Sequence, residues 1–102
     1  MGVISERLDQ ETLLTELRAM ILEVMEEEEG EVEVRFESHF QRDLELESIE
    51  LIALGDLLRA RYGQDLDFTG WLTQLTLDDL AELTVGDLTR WLEGALRARS
   101  EA

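Results

Sequence analysis

Apolar residues recur every three or four positions in three separate stretches of this chain, and no other feature constrains its fold as strongly. Because this interval places side chains on one face of an α-helix, each stretch predicts an amphipathic helix. We expect three main helices, at about residues 10–26, 48–61 and 84–97, and a short helix that opens at Thr76. No proline interrupts these stretches. The sequence therefore predicts an all-α fold, a four-helix bundle with three main helices and one short helix.

The ends of the expected helices carry local signals. The acidic run at residues 26–29 and the following Gly30 are expected to end the first helix, with Gly30 in a left-handed conformation, and Gly63 to end the second. A threonine followed three residues later by aspartate resembles a capping box, and this pair occurs at Thr76 and at Thr84. The expected core residues are Leu13, Leu14, Leu17, Met20, Ile21, Val24, Leu51, Leu54, Leu58, Tyr62, Leu88, Trp91, Leu92, Ala95 and Leu96, with Ile52 and Leu57 widening the face of the second helix.

The segment at residues 31–47 follows a different pattern. Val32, Val34 and Phe36 alternate with polar residues, as in a β-strand, but no second strand is evident and a lone strand has nothing to pair with. We therefore interpret the segment as a long loop, a length that is usually functional. The side chains expected to pin this loop to the bundle are Val34, Phe36, Phe40, Leu44 and Leu46.

Charge and composition narrow the classes of partner and site. The formal net charge is −16, and all nine basic residues are arginine. Such a surface repels nucleic acid and anionic membranes but attracts partners with basic rims. Cysteine is absent, which excludes disulfides and thiolate metal sites. The chain of 102 residues fits one domain, residues 1–102 with the bundle at about 10–97. It lacks an apolar run of roughly 18 residues, and its N-terminus lacks the basic region and apolar core of a signal peptide, so we expect a cytoplasmic protein. We also expect it to be a monomer.

The segment FQRDLELESIEL, at residues 40–51, places Ser48 at the expected start of the second helix, directly after a Leu-x-Leu pair. It resembles the attachment site of acyl carrier proteins, whose core motif reads Asp-Ser-Leu where this chain has Glu47-Ser48-Ile49. TVGDL at residues 84–88 also resembles the start of the last helix in that family. The similarity extends over about residues 10–96 and implies an acyl-carrier-like bundle, in which a long first loop leads to the modified serine.

The resemblance implies a function without independent catalysis, so the protein is not expected to be an enzyme. A phosphopantetheinyl transferase would attach 4′-phosphopantetheine to Ser48, and the arm would carry acyl groups as thioesters between loading, condensing or tailoring enzymes with basic docking surfaces. The residues that match the family's docking helix are Glu47, Ile49, Glu50, Ile52 and Asp56. Three residues of this helix occupy positions where acids are common in fatty-acid carriers: Ala53, Arg59 and Arg61. This departure favours dedicated partners in a polyketide or other secondary-metabolite pathway.

Three alternatives stay open at this point. Serine at a helix start is also typical of an ordinary N-cap. A peptidyl carrier of a non-ribosomal peptide pathway is the nearest other function, although its usual Gly-Gly-His/Asp-Ser-Leu motif is lacking. An acidic helical interaction module that is never modified is the alternative of another class.

Both chain ends are short and polar, so a free-standing carrier is expected rather than a domain of a larger synthase.

Two further features suggest other chemistry only weakly. Residues 65–70, DLDFTG, match the first half of a calcium loop, but position twelve is Thr76 instead of a bidentate glutamate. His39 is the only histidine and has no cysteine or second histidine to share a metal, so no metal site is expected. We interpret residues 67–75 as an enlargement of the second loop, with Trp71 packing that loop on the bundle.

Overall fold

The structure is a computed structural model that describes residues 10–28 and 30–101. These residues form an all-α fold of five helices without a β-strand. The helices are α1 (Gln10–Met25), α2 (Ser48–Tyr62), α3 (Phe68–Thr73), α4 (Leu77–Ala81) and α5 (Val85–Glu101). The three main helices predicted from the apolar spacing are confirmed. None of the helices in the described ranges has the length and apolar character needed to cross a bilayer.

The core lies between the three long helices, with α1 packed against both α2 and α5. Its central leucines, Leu17, Leu54 and Leu92, are completely excluded from solvent. Burying a leucine side chain contributes roughly 1.5–3 kcal/mol each, so this interface supplies much of the stability of the fold. The other buried core residues of the long helices are Leu13, Met20, Ile21, Leu22, Leu51, Leu58, Val85, Leu88 and Leu96.

The expectation of one short helix is wrong, because α3 occupies most of the segment that we expected to be loop. Asp67 is its N-cap and its carboxylate accepts a hydrogen bond from the N–H of Gly70 at 3.0 Å. Phe68 anchors the helix, since it is buried and its ring lies 5.9 Å from the ring of Trp71. A helix of six residues is too short to show a helical period in the sequence.

The end of α1 also differs from the expectation. The residue in the left-handed conformation that follows the helix is Glu26, with φ of 58°, rather than Gly30. The N–H of Glu26 donates to the carbonyl of Glu23, and the N–H of Glu27 donates to that of Leu22. This pair of bonds is a Schellman motif, in which glycine normally occupies the left-handed position. Gly30 does have a positive φ, of 95°, but in the turn that comes after.

Candidate functional site

The loop at residues 31–47 is held to the bundle by its apolar side chains. Val34, Phe40, Leu44 and Leu46 are buried and Phe36 is half-buried, so the five predicted anchors are confirmed. Fully burying side chains of this size contributes roughly 1.5–3 kcal/mol each, enough to order a loop without regular secondary structure. The loop is therefore a fixed support for the residues that follow it.

Backbone hydrogen bonds join the same loop to the start of α5. The N–H groups of Val85 and Gly86 donate to the carbonyls of Ser38 and Phe36, at 2.8 and 2.7 Å. The first N–H groups of a helix have no partner within the helix, so the loop satisfies two of them. These bonds to α5 fix the position of the loop at residues 36–38, upstream of Ser48.

The last residues before α2 alternate between inside and outside. Leu44 and Leu46 are each only 5% exposed, whereas Glu45 between them is exposed and has φ of 54°. A non-glycine residue in this left-handed region costs of order 1 kcal/mol and persists where the surroundings hold it. Here the two buried leucines hold it, and the N–H of Leu46 donates to the carbonyl of Phe40 at 2.9 Å. The Leu-x-Leu pair thus positions the start of α2.

Ser48 is the first residue of α2, and Glu47 is its N-cap. The N–H of Glu47 donates to Oε1 of Glu50 at 2.8 Å, which fixes the first turn without the serine. The side chain of Ser48 is exposed, and its hydroxyl makes no hydrogen bond with another described residue. The interpretation of Ser48 as an ordinary N-cap is therefore wrong.

The backbone around Ser48 is equally open. Neither the N–H of Ser48 nor that of Ile49 donates to a described residue, so both point out from the positive end of the helix dipole. Such a helix start favours an anionic group, such as a phosphate ester. The structure places no histidine at this hydroxyl: the ring of His39 lies 3.2 Å from Asp43 and 3.7 Å from Glu82. The arrangement presents an exposed, unbonded hydroxyl at the start of a helix.

Most of the predicted docking residues share the exposed face of α2. Ile49 and Ile52 are 71% and 51% exposed, so Ile52 does not widen the core face as the spacing predicted. Glu47 and Asp56 are exposed and Glu50 is half-buried. An exposed isoleucine pair among acids is a combination that a partner with apolar and basic groups can recognise.

The two arginines of α2 each have an acidic neighbour. Arg59 forms an ion pair with Asp56 one turn earlier in the helix. Arg61 pairs with Glu16 of α1, with Nη2 and Oε2 3.2 Å apart. The acidic character of the exposed face is therefore reduced at Asp56 and retained around Glu47.

The pKa of Asp43 is lowered, first because its carboxylate accepts a hydrogen bond from the backbone N–H of His39 at 2.7 Å and then through the imidazole itself. Within the described ranges, no three histidine, aspartate or glutamate side chains cluster closely enough to hold a metal ion. Asp67, the third residue of the calcium-like segment, is the cap of α3.

The aromatic residues of α3 and α5 form a packed group. Trp71 and Trp91 are stacked with their ring centroids 5.1 Å apart, and Phe68 contacts both. Gly55 of α2 gives this group its space, because a Cβ atom there would lie 3.0 Å from the Phe68 ring. Trp71 therefore packs its segment on the bundle, as predicted.

Sequence reasoning missed Glu47 as the cap of α2, and it did not foresee that Leu77, the first residue of α4, is 84% exposed. Glu47 was missed because helix caps strongly prefer serine, and the exposure of Leu77 was missed because α4 is too short to show a helical period.

Comparisons of this chain with protein-family models, with curated proteins and with solved structures give no match. The site is consequently interpreted from its own geometry.

Proposed function

We propose that this protein is an acyl carrier protein that holds acyl intermediates as thioesters on a 4′-phosphopantetheine arm attached to Ser48. The proposal includes an acyl-carrier-like arrangement of the bundle, in which α1, α2 and α5 are the main helices. It assigns the protein to a polyketide or other secondary-metabolite pathway, with a phosphopantetheinyl transferase as its first partner. The helices and the resemblance at residues 40–51 support this function.

The observation that carries the proposal is the exposed, unbonded hydroxyl of Ser48 behind a rigid approach. The hydroxyl of a serine needed only for capping would accept a hydrogen bond from a backbone N–H. Here Glu47 and Glu50 fix the first turn instead. The buried Leu44 and Leu46 hold the preceding chain in one conformation. An external enzyme can therefore reach a hydroxyl that stands in a defined place.

The chemistry belongs to the transferase and the arm. Oγ of Ser48 attacks the pyrophosphate of coenzyme A, an Oγ–P bond forms, the pyrophosphate P–O bond breaks and adenosine bisphosphate leaves, while a base on the transferase takes the hydroxyl proton. The unpaired N–H groups of Ser48 and Ile49 favour the new phosphodiester. Because the chain contains no cysteine, the thiol of the arm would be the only thiol on the molecule.

Delivery of the acyl group requires partner enzymes to recognise the start of α2. Ile49 and Ile52 supply exposed apolar area beside Ser48, and Glu47 supplies charge for a basic rim. Exposed ion pairs contribute only about 0–1 kcal/mol each, so the isoleucines are expected to provide most of the affinity and the acid mainly the encounter rate.

The deciding experiment is intact-protein mass spectrometry after incubation with coenzyme A and a broad-specificity phosphopantetheinyl transferase. The native chain should gain the mass of one phosphopantetheine, and Ser48→Ala should gain none. Thr69→Ala serves as a matched control, because it removes an exposed hydroxyl near the start of another helix, α3, and this variant should still be modified.

Each other outcome has a definite meaning. No gain in the native chain with several transferases would replace the proposal with an unmodified acidic interaction module. A gain in both the native chain and Ser48→Ala would keep the carrier function but assign the wrong serine. If Ser48 is modified, loading the arm with acyl or aminoacyl groups by candidate enzymes would separate an acyl carrier from a peptidyl carrier.

A further inference from the structure

A groove of about 650 Å³ lies between α1 and α2, away from Ser48. Its floor is apolar and built largely from small or flexible side chains: Ala19 and Met20 of α1, and Leu57 and Ala60 of α2. Ala19 and Ala60 are exposed and Leu57 is half-buried, so neither helix closes the space over them. Alanines facing a groove permit another helix to approach to the 8–10 Å axial separation of packed helices.

One wall of the groove is fixed by polar contacts between α1 and α2. Glu16 accepts a hydrogen bond from the hydroxyl of Tyr62 and pairs with Arg61. Burial, together with the carboxylate of Glu16, raises the pKa of Tyr62 well above its ordinary value, so this hydroxyl remains a donor at neutral pH. These contacts join α1 to α2 and keep the groove at a set width.

The α1 side of the groove is acidic. Glu23 is exposed and makes no ion pair with another described residue. Residues 10–28 carry six acids and one arginine, a net charge of −5. That arginine, Arg18, donates to the carbonyl of Val34 at 3.1 Å and so is committed to the loop.

An apolar stripe continues the groove along α2. Ile49, Ala53, Leu57 and Ala60 follow one another at intervals of four, four and three residues, so they lie on one face of the helix. Ile49 and Ala53 are exposed. The stripe covers twelve residues, whose eleven steps of 1.5 Å give a length of roughly 16 Å, or three helical turns.

From these features we propose that the groove between α1 and α2 binds an amphipathic helix of a partner protein, with arginine or lysine on the flank that faces α1. The partner's apolar stripe packs on Ala19, Leu57 and Ala60, and its basic flank meets Glu23 and the acidic end of α1. Packing of a helix into an apolar groove is a common mode of peptide recognition, and the opposite charges fix its orientation. The binding does not require modification of Ser48, so it goes beyond the carrier function.

A synthetic peptide of about 15 residues, roughly 22 Å long as a helix, provides the probe. It carries a leucine and alanine stripe flanked by arginines, and two matched peptides control for it: a scrambled sequence of equal charge, and one with glutamate in place of arginine. Titrations of the native chain and of Ser48→Ala are followed by ¹H–¹⁵N chemical shifts. We expect saturable shift changes centred on Thr15–Glu23 and Leu57–Arg61 in both proteins.

The arginine peptide should bind at least about tenfold more tightly than either control peptide, a difference of roughly 1.4 kcal/mol. Ala60→Gln and Ala19→Gln fill the floor without changing charge and should weaken binding about tenfold, whereas Ala98→Gln, on an exposed position of α5, should leave it unchanged. Since glutamine is tolerated in helices, circular dichroism should show all three variants folded.

Several results would overturn the proposal. If the scrambled peptide of equal charge bound as tightly, net charge alone would explain the binding, and no helix would be recognised by the groove. Shift changes centred elsewhere, or full binding by Ala60→Gln, would place the helix on another surface. Concentration-dependent shifts at the groove without peptide would assign it to a second copy of the chain, and nuclear Overhauser contacts with residues 1–9 would assign it to the chain's own segment.

Discussion

Helices α2 and α5 open with the same local device. In α2 the cap is Glu47, whose N–H donates to Glu50 three residues later at 2.8 Å. In α5 the equivalent pair is Thr84 and Asp87, with the N–H of Thr84 donating to Oδ2 of Asp87 at 3.1 Å. The cap hydroxyl of Thr84 also accepts a hydrogen bond from the N–H of Asp87, again at 3.1 Å.

The two helix starts differ in what surrounds the cap. The first residue of α5, Val85, is fully buried and its N–H is bonded to the loop, whereas the first residue of α2, Ser48, is exposed with an unbonded hydroxyl. The start of α5 is therefore held in the core and bonded to the loop, whereas the start of α2 presents an exposed hydroxyl to solvent. A sequence motif of hydroxyl plus acid does not by itself distinguish these uses.

The largest contrast is expected at the first helical residue. Val85→Ala should lower the free energy of unfolding by about 2–3 kcal/mol, because it removes buried methyl groups and leaves a cavity. Ser48→Ala, at the equivalent position of α2, should change it by less than about 0.5 kcal/mol. Urea unfolding followed by tryptophan fluorescence measures both. A large loss in Ser48→Ala would mean that its hydroxyl has a structural role.

The second helical residue gives the next contrast. A Cβ atom on Gly86 would lie 2.5 Å from the Phe36 ring, so Gly86→Ala should be destabilising by about 1–2 kcal/mol despite the better helix propensity of alanine. Ile49→Ala, at the matched position of α2, removes an exposed side chain and should stay within about 0.5 kcal/mol. If Gly86→Ala is as stable as the native chain, the Phe36 ring can move away from residue 86, and the close contact between the loop and the start of α5 is not needed for stability.

The helices that sequence predicts well are those long enough to show a period. Leu13, Leu17 and Ile21 are all buried in α1, and the threonine–aspartate pairs at Thr76 and Thr84 both cap helices. In each case the signal lies within a few residues of the structure that it predicts. Local signals of this kind also identified the start of α2.

What sequence reasoning missed depends on contacts between distant residues or on unusual residue types. Glutamate has no preference for the left-handed region, so nothing in the sequence pointed to Glu26 or Glu45 as the residues with positive φ. The contact between Gly86 and Phe36 joins positions fifty residues apart. Exposure of Ser48 likewise depends on how residues 31–47 pack, which no short motif encodes.

The caps themselves should differ by a smaller amount. Thr84→Ala removes the hydroxyl that accepts from Asp87 and should cost about 1 kcal/mol. Glu47→Ala keeps the backbone N–H that donates to Glu50, so it should cost only a few tenths of a kcal/mol. The same urea experiment compares them. Equal losses would show that the side chain of Glu47 contributes as much to its helix as the hydroxyl of Thr84.

The smallest expected effect concerns the loop that connects the two helix starts, and it depends on pH. The pKa of Asp43 is lower in the folded protein than in the unfolded chain, chiefly because of the His39 N–H. Its stabilising contribution is therefore complete above the unfolded value of about 3.9 and is lost as pH falls through the folded pKa. Asp43→Asn should be less stable than the native chain at pH 7, and this difference should shrink below about pH 4.

The quantity to measure is the difference in the free energy of unfolding between the native chain and Asp43→Asn at each pH. The pH dependence of the native chain alone is not informative, because its net charge is −16. Protonation of the many other acids relieves repulsion over the same pH range and masks a single carboxylate. Glu45→Gln changes the charge by the same amount two residues away, without a partner in the loop among the described residues, and its difference from the native chain should not follow the same course. If both variants change alike with pH, general repulsion explains the effect, and the hydrogen bond from His39 to Asp43 does not stabilise the loop measurably.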